Sequence, residues 1–519
     1  MSNVTRRSRF EILHVLFCFA AASCARVLEL DAYSVGQEAV GPQSAAMECL
    51  KHSDCKADVD GPAVCVEATH SCVHLKSEDC TTINGDFMSD DAIVIGSMFA
   101  FGGAQVGAST ARQNSAILAV HEIDGAGGIP HGDSSAGARP LIMVSCDTSG
   151  DLLRAGKHLV NELHVPAIVG PNGSQDTLEL SRQVSVPGGT VVITPTALAS
   201  SIADLSDNGL TWQMVPTDLQ RGEFLTNQIQ AMADELTLAR KLESIKFAAV
   251  FRDDALGIGT RTSLNMLTLN KQPLATLVSR GLARVDAYDL SAVDQGPTVR
   301  SYAEFLPDIV VLAGTSELVQ NILVPLERAW PEGRPRPYYM LIDSLKNKEL
   351  LDAAGMSEDL RKRIRGTGIT PSARSKSVYE AFQLSYQLAY PGTPSDVAGL
   401  GPSYDATYAI AYALAATQDQ PISGRSVAEG LRMLSDGRLD IEVQAVTVLA
   451  AFSHLAMKEP INAIGTFGPL AWGPNGAVLG GTLELWCIEN RAGRFSYQSS
   501  GLTVELATGL ETGKYVQCE

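Results

Sequence analysis

The residues able to do chemistry in this chain gather where short apolar runs end. Ala167-Ile168-Val169 leads into Gly170-Pro171-Asn172-Gly173-Ser174, and Val192-Ile193 leads into Thr194-Pro195-Thr196-Ala197. A run over 308–313 ends at Gly314-Thr315-Ser316, and one over 338–342 ends at Asp343. Hydroxyls, small residues and one acid suit hydrogen bonding to a small polar molecule, and no phosphate-cradling loop stands among them. Ser174 precedes a helix read over 177–184, so its hydroxyl can cap that helix or hold a carboxylate. Threonines at strand ends read equally as turn residues, and Asp343 as a solvated acid. Catalytic signatures are missing: there is no G-x-S-x-G elbow, no H-E-x-x-H and no C-x-x-C. The nine histidines include no pair spaced for a zinc-enzyme helix. Gly125 to Gly128 follows a helix and reads as its C-terminal cap and turn. The chain therefore reads as a binding protein and not an enzyme, with no cofactor and no metal.

The elements that must position these residues alternate. Strands are expected over 92–99, 141–145 and 167–171, with helices over 111–123, 152–163 and 177–184 between and after them. Farther along, helices over 223–236 and 260–269 flank a strand over 246–251. The strands 308–314 and 338–342 follow, the first leading into a helix through Glu327. The Ala- and Tyr-rich stretch 407–417 is apolar on every side and reads as a buried helix. Short, fully apolar strands alternating with helices imply a parallel sheet covered on both faces. Ligands of such sheets lie beyond the carboxyl ends of the strands, where the hydroxyls and Asp343 stand.

The wording of these elements resembles the branched-chain amino-acid-binding proteins of the type I periplasmic-binding fold. The phrases are Ile95-Gly96, Glu122-Ile123-Asp124-Gly125-Ala126-Gly127-Gly128-Ile129, Val169-Gly170-Pro171 and Val192-Ile193-Thr194-Pro195. Val215-Pro216-Thr217-Asp218, Arg252-Asp253-Asp254 with Gly257 and Gly259, and Tyr404-Asp405-Ala406 follow in order. Gly468-Pro469-Leu470-Ala471-Trp472 with Gly476 is similar to that family's closing hairpin. The resemblance spans about 92–499 and implies two doubly wound α/β lobes joined by a three-crossover hinge. Within a domain over 91–500, lobe one would comprise 91–216 and 368–452, and lobe two 217–367 and 453–500. A C-terminal extension, 501–519, would follow.

The resemblance also implies roles. Ser174 would bind a ligand carboxylate, Thr194, Thr196 and Ala197 would add hydroxyl and backbone contacts, and Asp343 would pair with a ligand ammonium. Asp253 and Asp254 would hold their loop. Departures bear on the ligand: Leu256 stands where an aromatic is usual, Thr315-Ser316 replace a tyrosine, and an expected threonine falls at Leu198. Both aromatic losses thin the lobe-two wall. Phe99 and Phe101 either rebuild it or belong to the core. The function implied is capture of an amino acid or related small carboxylate by hinge closure, for delivery to an ATP-driven (ABC) permease. The alternative is a lipoprotein receptor or regulator that uses the same fold for sensing or protein contact.

Composition and the chain ends agree with export. Apolar residues make up 45% and charged residues 19%, as in a globular protein. The net charge of −18, from 40 basic and 58 acidic residues, argues against nucleic acid as a partner. Arg6, Arg7 and Arg9 precede an apolar run and Ala21-Ala22-Ser23-Cys24, the build of a signal peptide over 1–24 with a lipobox. Cys24 would carry lipid and anchor the protein to a membrane, and Ala25 after it favours the outer membrane over the inner. Residues 25–48 would be a linker. Eight further cysteines, Cys49, Cys55, Cys65, Cys72, Cys80, Cys146, Cys487 and Cys518, are read as disulfide-bonded. Two bridges are expected among the first four, in a Cys-rich module over 49–80, with Cys80 joined to Cys146 and Cys487 to Cys518. His70 and His74 beside Cys65 and Cys72 raise a zinc site, which the lack of a C-x-x-C knuckle and the exported context disfavour.

Overall fold

The structure, a computed structural model, describes residues 48–56, 61–102, 106–131, 137–291, 294–395, 397–418 and 420–519. The leader, Cys24 and most of the linker lie outside the described residues. Between them the described residues build two mixed sheets, each the centre of a lobe.

The first sheet has the order 211–213, 191–194, 167–169, 93–99, 141–147 and 80–84. Its first five strands run parallel, and Cys80–Asn84 closes the edge antiparallel to Leu141–Asp147. Runs such as Val191–Thr194 are buried along their whole length, which is why they carry no polar alternation. Helices Val106–Gly125 and Leu400–Thr417 pack against each other and both against this sheet, and every residue of the latter is buried. An Ala- and Tyr-rich surface suits that position, because the small residues admit close neighbours while the rings fill space. The Tyr404 and Tyr408 hydroxyls both donate to Glu122 Oε2, at 2.5 and 2.7 Å. This satisfies groups that burial would otherwise penalise.

The second sheet has the order 283–288, 247–252, 309–313, 338–342, 364–370, 482–491, 494–505 and 510–512. Its first five strands are parallel and the last three antiparallel. Residues 501–519 are therefore no appendage: Arg494–Glu505 runs on past residue 500, and Leu510–Thr512 pairs with it. The chain passes between the sheets three times, near 214–217, 371–375 and 478–481. The last passage comes later than the resemblance implies. Asn462–Ile464 pairs in parallel with Asp440–Glu442, away from the second sheet. The turn at Gly473–Gly476 then docks on the first sheet's edge. Gln213 N–H donates to Gly476 O, Trp472 Nε1 donates to Gln213 O, and Trp472 meets Trp212 edge-on at 5.3 Å. Gly476 is required there, since it has φ +73° and a Cβ would fall 2.0 Å from Thr211 O.

The Cys-rich segment is a small hairpin, Ala63–Val66 against Ser71–His74, beside a 3-10 turn at His52–Lys56. Its bridges are Cys49–Cys65 and Cys55–Cys72, and the longer ones are Cys80–Cys146 and Cys487–Cys518. Cys49, Cys55 and Cys65 lie close enough to hold a metal ion, but each sulfur is spent in a disulfide and offers no thiolate. The hairpin is fused to the first lobe: Leu75 is buried in its core, and His52 Nε2 lies 3.2 Å from Ala92 O. Cys487–Cys518 closes a loop of 31 residues, for which chain entropy predicts about 3–4 kcal/mol. The double variant Cys487→Ser/Cys518→Ser should lose about that much in urea unfolding, and a change below about 1 kcal/mol would show that the sheet alone holds the C-terminus.

Candidate functional site

The carboxyl ends of the parallel strands of the two sheets meet around Leu198, and most of the residues singled out in the sequence stand on one side or the other of that contact. On the first lobe Ser174 is the first residue of helix Ser174–Leu180, which is capped by Gly173 instead. Its buried hydroxyl accepts the backbone N–H groups of Leu198 and Ala199, both at 3.2 Å. Thr194 donates to Pro171 O at 2.6 Å and accepts Ala197 N–H. Thr196 donates to Asn172 O at 2.9 Å. These groups tie the 194–199 loop to the 170–174 loop. Phe99 is fully buried in the first lobe's core, and so is no part of a cleft wall. Phe101 is partly buried against that core, and its N–H donates to Asp147 Oδ1.

On the second lobe Asp343 begins a short 3-10 turn directly after strand Tyr338–Ile342. It is 9% exposed and has a partner already: Arg221 Nη1 donates to its Oδ2 at 2.7 Å, while Arg221 Nε donates to Pro216 O. Arg221 sits in the first turn of helix Asp218–Arg240, whose start is set by a capping box between Thr217 and Gln220. Thr315 donates to Glu317, and its hydroxyl accepts from Arg252, which also pairs with Asp254 at 2.7 Å. Asp254 caps helix Ala255–Leu264 through the N–H groups of Leu256 and Gly257. Asp253 gives its N–H to Tyr288 O.

The crevice between these faces is closed. Leu198, 5% exposed, packs in one apolar cluster with Val215, Phe251, Leu256, Ala313 and Ile342. Burying a leucine side chain in this way stabilises by roughly 2 kcal/mol. Polar bonds cross beside it: Asp218 N–H donates to Leu198 O at 2.7 Å, and Ser200 N–H to Asp218 Oδ1 at 3.1 Å. Asp218 Oδ2 is buried without a partner, and burial raises that carboxyl above its usual range. At the rim, burial likewise raises Asp176, opposed by the charge of Arg252 from the other lobe. Behind the cluster a cavity of about 20 Å³ lies where the three passages run together, lined by Met214, Thr370, Asp405, Trp472 and Thr482 among others. It has room for about one water molecule, not for an amino acid.

No protein-family model matches the chain, and no curated protein sequence matches it. Solved structures do. The branched-chain amino acid transporter substrate-binding protein LivJ from Streptococcus pneumoniae, in complex with isoleucine, is 16% identical with a TM-score of 0.57. The match covers 80% of this chain and 99% of that one. The leucine-binding protein LivK from Thermotoga maritima is 15% identical, with a TM-score of 0.56 over 79% of this chain and 98% of that one. The chain has the type I periplasmic-binding fold. A solute-binding protein from R. palustris, in complex with 4-hydroxybenzoate, shares the fold at 13% identity and a TM-score of 0.55, over 79% and 96% of the two chains. Arg221, beside Asp218 in the first turn of its helix, is a charged residue of the cleft that no sequence motif marked out as part of a site. The pattern Thr217-x-x-Gln220 was the signal that would have placed both in a helix's first turn.

Proposed function

We propose that this chain is an extracytoplasmic solute-binding protein of the branched-chain-amino-acid transport type, whose lobes close on a small apolar carboxylate for delivery to an ABC permease. Four disulfides agree with an oxidising compartment, and a lipid on Cys24 would hold the protein at the membrane. Among the described residues no helix is long and apolar enough to cross one. The observation that carries the ligand class is the Arg221–Asp343 pair. Asp343, the acid expected to meet a ligand ammonium, already pairs with Arg221 at 2.7 Å, and Leu198 and its apolar neighbours fill the crevice. An α-amino acid would have to bury its ammonium without that acid, which costs several kcal/mol. A carboxylate lacking the ammonium avoids that cost.

The test is a thermal-shift screen of the mature chain with disulfides intact, pairing leucine against 4-methylpentanoate and phenylalanine against 3-phenylpropanoate. At a hundredfold excess over Kd a true ligand adds about 2.7 kcal/mol, several degrees in melting temperature. The expected result is a rise with the ammonium-free member of a pair and little with its amino acid. A rise with leucine alone would reverse the ligand assignment. A flat response to all four would favour a second reading, a receptor or regulator that uses the closed lobes for protein contact, to which the filled crevice and the fused Cys-rich hairpin already lend support.

A further inference from the structure

We propose that Leu198 is a tethered stand-in for the apolar group of a ligand: it holds the lobes shut when the cleft is empty, and a ligand binds by displacing it. This inference rests on the solute-capture reading and names how the same cleft is regulated. Three observations carry it. Leu198 comes from the loop following a first-lobe strand, yet its packing partners are the hinge residue Val215 and four second-lobe residues, Phe251, Leu256, Ala313 and Ile342. Three of those four, Phe251, Ala313 and Ile342, lie at the carboxyl ends of parallel strands, and Leu256 follows the first of them. That is where ligands of such sheets sit. The loop is also clasped at this residue from both sides: Leu198 N–H donates to Ser174 Oγ of its own lobe, and Leu198 O accepts Asp218 N–H of the other.

The arrangement is a competition. When Leu198 is in place the closed form needs no ligand, so an incoming apolar group gains only the difference between its own contacts and those it ejects. Apparent affinity falls by the fraction of molecules in which the pocket is vacant. Ser174, whose hydroxyl is occupied by the Leu198 and Ala199 N–H groups, is released by the same movement.

The experiment compares the mature wild-type chain with Leu198→Ala and Leu198→Met by small-angle scattering and by titration with 4-methylpentanoate. The expected result is a larger radius of gyration for Leu198→Ala without ligand, a return to the wild-type value on adding 4-methylpentanoate, and at least tenfold tighter binding than wild type. Leu198→Met, which keeps an unbranched apolar filler, should stay as compact and bind as weakly as wild type. Two outcomes overturn the proposal: a Leu198→Ala variant as compact as wild type without ligand, or one that opens and neither recloses on the carboxylate nor binds it more tightly. The solute-capture reading fails separately, through a wild-type chain that answers to no carboxylate. If Leu198→Ala still opens and recloses in that case, Leu198 stands as a permanent plug.

Discussion

Replacing Arg221 by methionine should lower the unfolding free energy by about 3 kcal/mol and, at the same time, create affinity for leucine. The two effects have one cause. Arg221 and Asp343 are each about 12% exposed at the side chain and 2.7 Å apart, so removing the guanidinium leaves a mostly buried carboxylate uncompensated. Breaking such a pair from one side costs about 3–5 kcal/mol, whereas replacing both partners can be nearly neutral. Urea unfolding of Arg221→Met, Asp343→Asn and the double variant decides this. The double variant should recover most of what Arg221→Met loses. Near-additive losses would mean that the pair is not coupled.

The gain in binding follows from the same geometry. Asp343 opens the turn that follows the second-lobe strand Tyr338–Ile342, and the Arg221 guanidinium donates to its carboxylate. Once freed, the carboxylate can accept an ammonium, and that new bond repays part of the desolvation it suffers unpaired. Leucine at saturation should therefore raise the melting temperature of Arg221→Met and leave wild type almost unmoved. Leucine acting equally on both proteins would show that Asp343 plays no part in recognition.

Much of this fold could be read from the chain because parallel strands buried on both faces leave uninterrupted apolar runs. The strand 338–342 was read to the residue, and the buried helix ending at Thr417 only began earlier than expected, at Leu400. Asp343 follows directly on its strand, as the apolar run implied, while the helix expected from Thr177 already begins at Ser174. Their partners were hidden for physical reasons. Arg221 lies 122 residues from Asp343 in sequence, and only the capping box at Thr217 fixes which face of the helix it occupies. Leu198 was visible as a departure, but that it fills the crevice depends on two lobes meeting, which no local pattern encodes. The late third passage had the same origin: Trp472 through its indole and Gly476 through its carbonyl bind the edge strand 211–213 at Gln213, 259 residues before Trp472, and no local pattern shows that contact.

Stability should fall as pH rises from about 4 to about 8, and Asp405→Asn should remove much of that fall. Asp405 lies on the fully buried helix and lines the small cavity at the three passages. Its Oδ2 accepts the Thr466 N–H and hydroxyl at 2.8 and 2.7 Å, while Oδ1 is buried without a partner. Tyr404 and Tyr412 lie near it, with Glu122 beyond them, and none of these supplies positive charge. Burial pushes its carboxyl from 3.8 up to about 7, against the pull of the two Thr466 bonds. The native state thus holds a proton that the unfolded chain has released, and stability declines with pH wherever that is so. The contribution is intact below about pH 4 and lost as pH passes about 7. A shift of that size corresponds to about 4 kcal/mol at most. Other carboxyls titrate in the same range, so the quantity to measure is the difference between wild type and Asp405→Asn in urea unfolding at each pH. Asparagine keeps an acceptor for Thr466 and never ionises. The difference should be small at pH 4.5 and should reach several kcal/mol in favour of the variant at pH 8. Parallel curves across that range would mean that Asp405 is solvated through the cavity and ionises at its ordinary pH.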